Sequence, residues 1–227
     1  MPALRDTVQD AADSLLRAYT SNPQAQRFVA IAGPPGGGKS TFTVAVCEAV
    51  NSSLGADIAV VVPMDGFHYP LKALKEDREL FPDPVLAVAR RGAPWTFDAS
   101  AFVESMRALK QKGEGDVPTF DHKIHDPVTG GCRVERTHKI VLIEGNYLLL
   151  PDAPWNLLVG ENVYDETWFI DTDVEESMRR IVTRHMSVGR TELEARTRAD
   201  TNDRLNAELV IARSRDLADV LIPCAHK

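Results

Sequence analysis

Between the apolar run Arg27-Phe-Val-Ala-Ile-Ala32 and a stretch whose Phe42, Val46 and Val50 recur four apart lies Gly33-Pro-Pro-Gly-Gly-Gly-Lys-Ser40. A short apolar run reads as a buried strand, and a four-residue spacing reads as a helix, here Ser40 to Val50. Strand, glycine loop and helix in that order fit G-x-x-x-x-G-K-[ST], a pattern that cradles phosphates. Each position has a chemical reason. Backbone N–H groups from Gly36 onward can curl around phosphate oxygens, because small residues allow close approach. Pro34 and Pro35 lack an N–H and stand before the cradle. Lys39 can reach β- and γ-phosphates, and the Ser40 hydroxyl can bind Mg²⁺. The nucleotide-binding candidates are therefore Gly33, Gly36, Gly37, Gly38, Lys39, Ser40 and Thr41.

With 227 residues and 44% hydrophobic side chains, the chain can bury one full core, read as a single domain over 1–227. A net charge of −7 argues against a nucleic-acid binder, which needs a basic footprint. The three cysteines, Cys47, Cys132 and Cys224, are scattered without zinc spacing, so no disulfide framework is expected. No apolar run approaches the roughly 20 residues that span a bilayer. Met1 to Asp10 is polar and does not read as a signal peptide, so a cytoplasmic location is expected.

Leu4, Val8, Ala11, Leu15 and Tyr19 form one stripe of an N-terminal helix within 1–22. Further strands are read at 57–64, 138–144, 166–171 and 218–223. Continuous apolar strands mark a buried parallel sheet. Short helices are read at 72–80 and 84–90. Asp98 caps a longer helix that ends near Gly113, and more helix follows Val174 and Leu193. The segment 118–127 is read as a loop. Alternating strands and helices imply an α/β fold: a doubly wound, mostly parallel sheet with helices on both faces.

In such sheets ligands sit beyond the carboxyl ends of the strands. The second strand runs into Asp65-Gly-Phe-His-Tyr69 and the third into Glu144-Gly-Asn-Tyr147. A carboxylate there can hold Mg²⁺ or accept the proton of an attacking hydroxyl. Asp65 is assigned the base role and Glu144 the metal side. Ser40 and Glu144, joined by Asp65, form the metal set. Arg179, Arg180, Arg184, Arg190, Arg196, Arg198, Arg204 and Arg213 crowd the region after 178, interleaved with acids. A solvated helical face with i,i+4 pairs explains some of them. A lid over 178–205 that carries arginine onto a transferring phosphoryl group explains others. Arg184 and Arg190, flanking Gly189, are the lid candidates.

These residues resemble the P-loop kinase group of uridine kinase, pantothenate kinase and phosphoribulokinase. Met64-Asp-Gly-Phe67 resembles the Asp-Gly-Phe of bacterial pantothenate kinase, where the Asp is catalytic. Arg91-Gly-Ala-Pro-Trp-Thr-Phe-Asp98 resembles that enzyme's Lys-Gly-x-Pro-x-Ser-Tyr-Asp. Phe120-Asp-His-Lys-Ile-His125 has the spacing of uridine kinase's Tyr-Asp-Phe-x-x-His, whose Tyr and His contact the base. The resemblance implies an acceptor site at His68, Tyr69, Arg91, Phe120, His125 and Tyr147. Three departures argue against uridine itself. Phe120 has no hydroxyl, Pro127 stands where uridine kinase has Arg, and His68 replaces a Tyr. The motif wording is most like that of a bacterial and fungal branch labelled uridine-kinase-like or sugar-transport kinase.

The expectation is an ATP- and Mg²⁺-dependent phosphotransferase acting on a hydroxyl of a small metabolite: a nucleoside, a pantothenate-like compound, a sugar or a sugar phosphate. Lys39, Asp65, Arg184 and Arg190 would be catalytic, and a homodimer is compatible with this. The alternative is a P-loop ATPase switch acting through a protein partner. The guanine motif Asn-Lys-x-Asp, an ABC-type Leu-Ser-Gly-Gly and a consecutive Asp-Glu after the third strand are absent.

Overall fold

The computed structural model describes residues 4–224 apart from residue 122. Helix α1 (Leu4–Ser21) precedes β1 (Arg27–Ala32), and the glycine loop leads into α2 (Lys39–Leu54). Strand β2 (Ala59–Pro63) ends in a 3-10 turn, Met64–Phe67, followed by the short helices α3 (Leu71–Glu76) and α4 (Pro84–Ala89) and the longer α5 (Ala99–Lys112). Next come β3 (Gly115–Asp121), β4 (Asp126–Val134), β5 (Ile140–Glu144), the single turn α6 (Leu157–Gly160) and β6 (Glu166–Asp171). The Arg-rich region forms α7 (Val174–Ser187), α8 (Glu192–Arg198), a π-helical turn (Ala199–Asp203) and α9 (Arg204–Ser214), and β7 (Val220–Pro223) closes the order.

Five parallel strands make the main sheet, in the order β2-β5-β1-β6-β7. Side-chain alternation along each strand divides the core between the two faces. In β1, Val29 and Ile31 pack with Ala11, Ala12 and Leu15 of α1 and Phe42, Val46 and Val50 of α2. Phe28, Ala30 and Ala32 point the other way, into a cluster with Phe102, Val103 and Met106 of α5 and Val210 of α9. Both faces are covered, so the strands read as unbroken apolar runs. The doubly wound sheet expected from the sequence is present.

Local signals set the helix ends. The Asp98 side chain accepts from Ala101 N at the start of α5, and Gly113 closes that helix in the left-handed region (φ 76°). Asp173 accepts from Glu176 N at the start of α7, and Thr191 and Glu194 form a capping box on α8.

The segment 118–127 corrects the sequence reading. It is not a loop but the tip of an antiparallel ribbon formed by β3 and β4, with irregular register between Val117 and Thr119. Pro118, Pro127 and the Gly130-Gly131 pair break any alternating pattern, which hid the strands. The ribbon lies outside the main sheet and is anchored by Val117 and Val134, both fully buried. His122, noted in that segment, lies outside the described residues. Among the described residues Cys47, Cys132 and Cys224 form no disulfide. Among the described residues no helix is long and apolar enough to cross a membrane.

Candidate active site

The register of the central strands assembles the site. Glu144, the last residue of β5, is paired with Ile31 of β1 on one side and Pro63 of β2 on the other. Gly33 and Asp65 each lie two residues beyond those partners. Three chain turns, one carrying the glycine loop, one Asp65 and one Glu144, therefore leave the same sheet edge side by side.

The glycine loop presents a helix N-terminus. Gly38 is the N-cap of α2 (φ 94°) and supplies no side-chain cap, so the first-turn N–H groups point into the loop unblocked. Such a terminus attracts anions through its exposed N–H groups and its dipole. Not every loop amide is open: Gly37 N donates to Pro34 O at 2.9 Å. Gly36 (φ 76°) has α7 packed against it, and a Cβ there would sit 2.6 Å from Ser177 O and 2.8 Å from Ile181 Cγ1. A Gly36→Ala variant should accordingly lose about 1–3 kcal/mol of stability from backbone strain alone. It should also bind Mg·ATP poorly, because α7 must retreat from the loop. Thermal unfolding and calorimetric titration would read the two effects.

Lys39 is buried, and its Nζ donates to Pro34 O at 3.0 Å and to Asn146 Oδ1 at 2.6 Å. Burial pulls its pKa down to about 8, with Glu144 and Asp65 opposing the shift and Arg184 adding to it. The Ser40 hydroxyl donates to both Glu144 oxygens, at 3.0 and 3.1 Å. Burial lifts the Glu144 carboxyl above its usual range, the Lys39 charge and the Ser40 hydrogen bond oppose this, and Asp65 reinforces it. Lys39, Ser40, Glu144 and Asp65 thus form one electrostatic unit.

The donor set fits Mg²⁺. Ser40 and Glu144 offer hard oxygens beside the phosphate cradle, and a charged ion there would stabilise the buried carboxylate. Among the described residues no group of three or more His, Cys, Asp or Glu forms a metal cage.

Beyond Asp65 lies an aromatic cleft. His68 Nδ1 is 2.8 Å from Asp65 O, which only accepts, so Nδ1 carries the hydrogen. The His68 ring lies 3.9 Å from the Phe97 centroid and 4.9 Å from that of Phe120. Arg91 sits over the Phe120 ring at 5.5 Å and donates to Tyr69 O, His125 O and Asp126 Oδ1. His68, Arg91 and Phe120 are therefore brought together. His125 joins them through its backbone carbonyl, at a positive φ of 56°. Gly66 makes this possible, because β3 crosses so closely that a Cβ there would meet Pro118 O at 1.9 Å.

Of the expected acceptor residues, Tyr147 is turned away from the cleft and Tyr69 sits at its margin. The Tyr147 ring is fully buried, packs on Phe97 and Trp155, and donates its hydroxyl to Gly92 O. Burial pushes its ionisation well above the usual range. The Tyr69 ring packs on Phe81 in a small cluster with Leu74 and Ala87. The Tyr147 ring turns inward because the chain folds back over the core three residues past the end of β5, whereas the Tyr69 ring stays partly exposed. Tyr147→Phe would leave Gly92 O without its donor, so it should lower stability by about 1–3 kcal/mol. Its folding midpoint in urea would move while the acceptor KM stays within twofold.

The lid candidates divide. Arg184 lies close enough to Lys39 to lower its pKa. Arg190 acts instead on Glu194 and Arg198. Neither forms an ion pair among the described residues, whereas Arg179, Arg196, Arg204 and Arg213 are all paired with acids. The sequence reading gives no role to Asn146, the Lys39 partner, and takes Asp126, the Arg91 partner, only as part of the 118–127 segment. Asn146 follows a strand end and was open to the same argument that singled out Glu144. The pairing of Asp126 with Arg91 became visible only once the ribbon was known.

No family model matches the chain. A Schizosaccharomyces pombe protein provisionally named a uridine kinase is 38% identical over 191 residues, which covers 82% of this chain and 79% of that protein. A solved structure from Silicibacter sp. TM1040, provisionally described as a fructose transport system kinase, is 30% identical with a TM-score of 0.81, covering 94% of this chain and 98% of its own. The structure of Saccharomyces cerevisiae YFH7, described as a P-loop kinase with a circular permutation, is 21% identical. It shares the fold at a TM-score of 0.82 over 97% of this chain and 99% of its own. With this degree of identity over most of both chains, and with the loop, strand order and strand-end carboxylates described above, the chain belongs to the uridine-kinase-like family of P-loop kinases.

Proposed function

We propose that the protein transfers the γ-phosphoryl group of ATP to a hydroxyl of a small metabolite. The observation that carries this reading is the position of Asp65. It lies between the Lys39–Ser40–Glu144 unit and the cleft of His68, Phe97 and Phe120. A carboxylate so placed can take the proton of a hydroxyl as that oxygen meets the phosphoryl group. Lys39 and the first-turn amides of α2 bind the phosphates. Ser40 and Glu144 would hold Mg²⁺, which when bound neutralises phosphate charge. Arg184, near Lys39, stabilises charge on the transferred group, and Arg190 can swing in from the exposed turn after α7.

The cleft combines aromatic faces with a histidine and an arginine already engaged by Asp126. This suits a ring-shaped polyol or a heterocycle, with the Arg91 Nη2 already engaged by Asp126. The relatives' names, a uridine kinase and a fructose transport system kinase, fall within those two classes. The test is ADP release from Mg·ATP across nucleosides, pantothenate, sugars and sugar phosphates. Release that depends on one acceptor class supports the reading and names that class. Release that ignores every acceptor would favour an ATPase switch instead.

A further inference from the structure

One loop carbonyl is held from outside the cradle by two donors. The Thr172 hydroxyl, fully buried just past β6, donates to Gly37 O at 3.1 Å. Arg180 Nη1, from α7, donates to the same oxygen at 3.2 Å. A carbonyl oxygen has two lone pairs, so these two donors saturate it. Arg180 is itself braced: its Nε donates to Glu176 Oε1 at 2.6 Å, and its Nη2 lies 3.1 Å from Cys224 Sγ.

The consequence follows from peptide geometry. In a planar trans peptide the C=O of one residue and the N–H of the next point in opposite directions. Gly37 C=O and Gly38 N–H belong to one such plane. Holding the carbonyl outward, toward β6 and α7, turns the Gly38 N–H inward, toward the phosphate position. Glycines leave that plane free to flip, because their φ is unrestricted by a side chain. An external restraint is what a glycine-rich loop lacks by itself.

We propose that Thr172 and Arg180 are positioning residues that fix the Gly37–Gly38 peptide so that the Gly38 N–H is pre-aimed at a nucleotide phosphate. This rests on the nucleotide-binding reading above, and it gives Arg180 a role apart from that of Arg184 and Arg190. A preformed donor avoids the ordering penalty that a mobile loop incurs on binding.

The experiment titrates the full chain with Mg·AMPPNP, comparing Thr172→Val, Thr172→Ser, Arg180→Met and the Thr172→Val/Arg180→Met double variant with wild type. Unfolding temperature is recorded for each, and the Gly38 amide is followed in ¹⁵N-labelled protein. Thr172→Val, nearly isosteric, should weaken binding about 3–10-fold, the range for one lost hydrogen bond. Thr172→Ser keeps the donor and should bind like wild type. The double variant should lose less than the product of the single losses, because both donors serve one oxygen. The Gly38 amide should shift on nucleotide addition in wild type and Thr172→Ser, and shift less in Thr172→Val. Wild-type affinity in Thr172→Val, or equal losses in Thr172→Ser and Thr172→Val, would overturn the proposal. A loss in Arg180→Met alone would also overturn it and assign Arg180 directly to phosphate. Absence of AMPPNP binding by wild type would instead overturn the nucleotide reading itself.

Discussion

Asp65→Asn should bind Mg·ATP within about threefold of wild type while its acceptor-dependent turnover falls by about 10²–10⁴-fold, the range for losing a general base. The substitution preserves shape. Asp65 sits in the 3-10 turn after β2, and its backbone oxygen is held by His68 N and Nδ1. Both contacts fall on the Asp65 main-chain oxygen and survive the change. What disappears is a proton acceptor and one negative charge. The charge opposes the buried Glu144 carboxylate and favours the protonated form of Lys39. Its removal relaxes one interaction and weakens the other, so ATP affinity changes little. Steady-state kinetics and calorimetric titration on the same preparation separate the two effects. Full turnover in Asp65→Asn would remove Asp65 from the chemistry.

Lys39→Met should have the largest effect on binding. Hydrogen bonds to charged groups contribute about 1.5–3 kcal/mol each, and this ammonium can serve two phosphates. Losing both contacts weakens Mg·ATP binding by roughly 10²–10⁴-fold, and turnover falls with it. Stability should change far less than binding. The folded pKa of about 8 lies below the unfolded value of 10.5, so at neutral pH the buried ammonium opposes folding. That opposition is full below about pH 8 and fades as the pH rises toward 10.5. Met removes that buried charge but also leaves Pro34 O and Asn146 Oδ1 without their donor, so the two effects offset and the variant should melt close to the wild-type temperature at pH 7. A variant that both binds ATP normally and melts lower would contradict this placement of Lys39. Urea midpoints and titration with AMPPNP measure the two quantities.

The parts of this site differ in how plainly the sequence displays them. The parallel strands were readable because both faces are buried, which leaves unbroken runs such as Phe28 to Ala32 and Ile140 to Ile143. Helix α2 was readable from Phe42, Val46 and Val50, all of which face the sheet. The insertion of β5 between β1 and β2 was not readable, since strand order is a non-local property. Yet that insertion is what sets Glu144 between the glycine loop and the Asp65 turn. The β3–β4 ribbon escaped because its prolines and glycines read as turn residues. Missing it hid the contact of Arg91 with Asp126, which ties the ribbon tip to the segment after α4. Tyr147 shows the limit of reasoning from strand ends. The residue lies three past Glu144, but the chain has already turned inward, and its ring joins the core. In the Arg-rich region, sequence spacing exposed the local pairs Arg196–Glu192 and Arg204–Asp200. It could not separate those from Arg180, whose guanidinium reaches back across the fold to Gly37.

The central claim is phosphoryl transfer to an organic hydroxyl. Its most direct test follows the label from γ-³²P-ATP with Mg²⁺ and the acceptor class that stimulates ADP release. The account predicts label in an organic phosphate, formed one for one with ADP by wild type and nearly absent with Asp65→Asn. Label that appears only as inorganic phosphate, at a rate indifferent to acceptor, would contradict it.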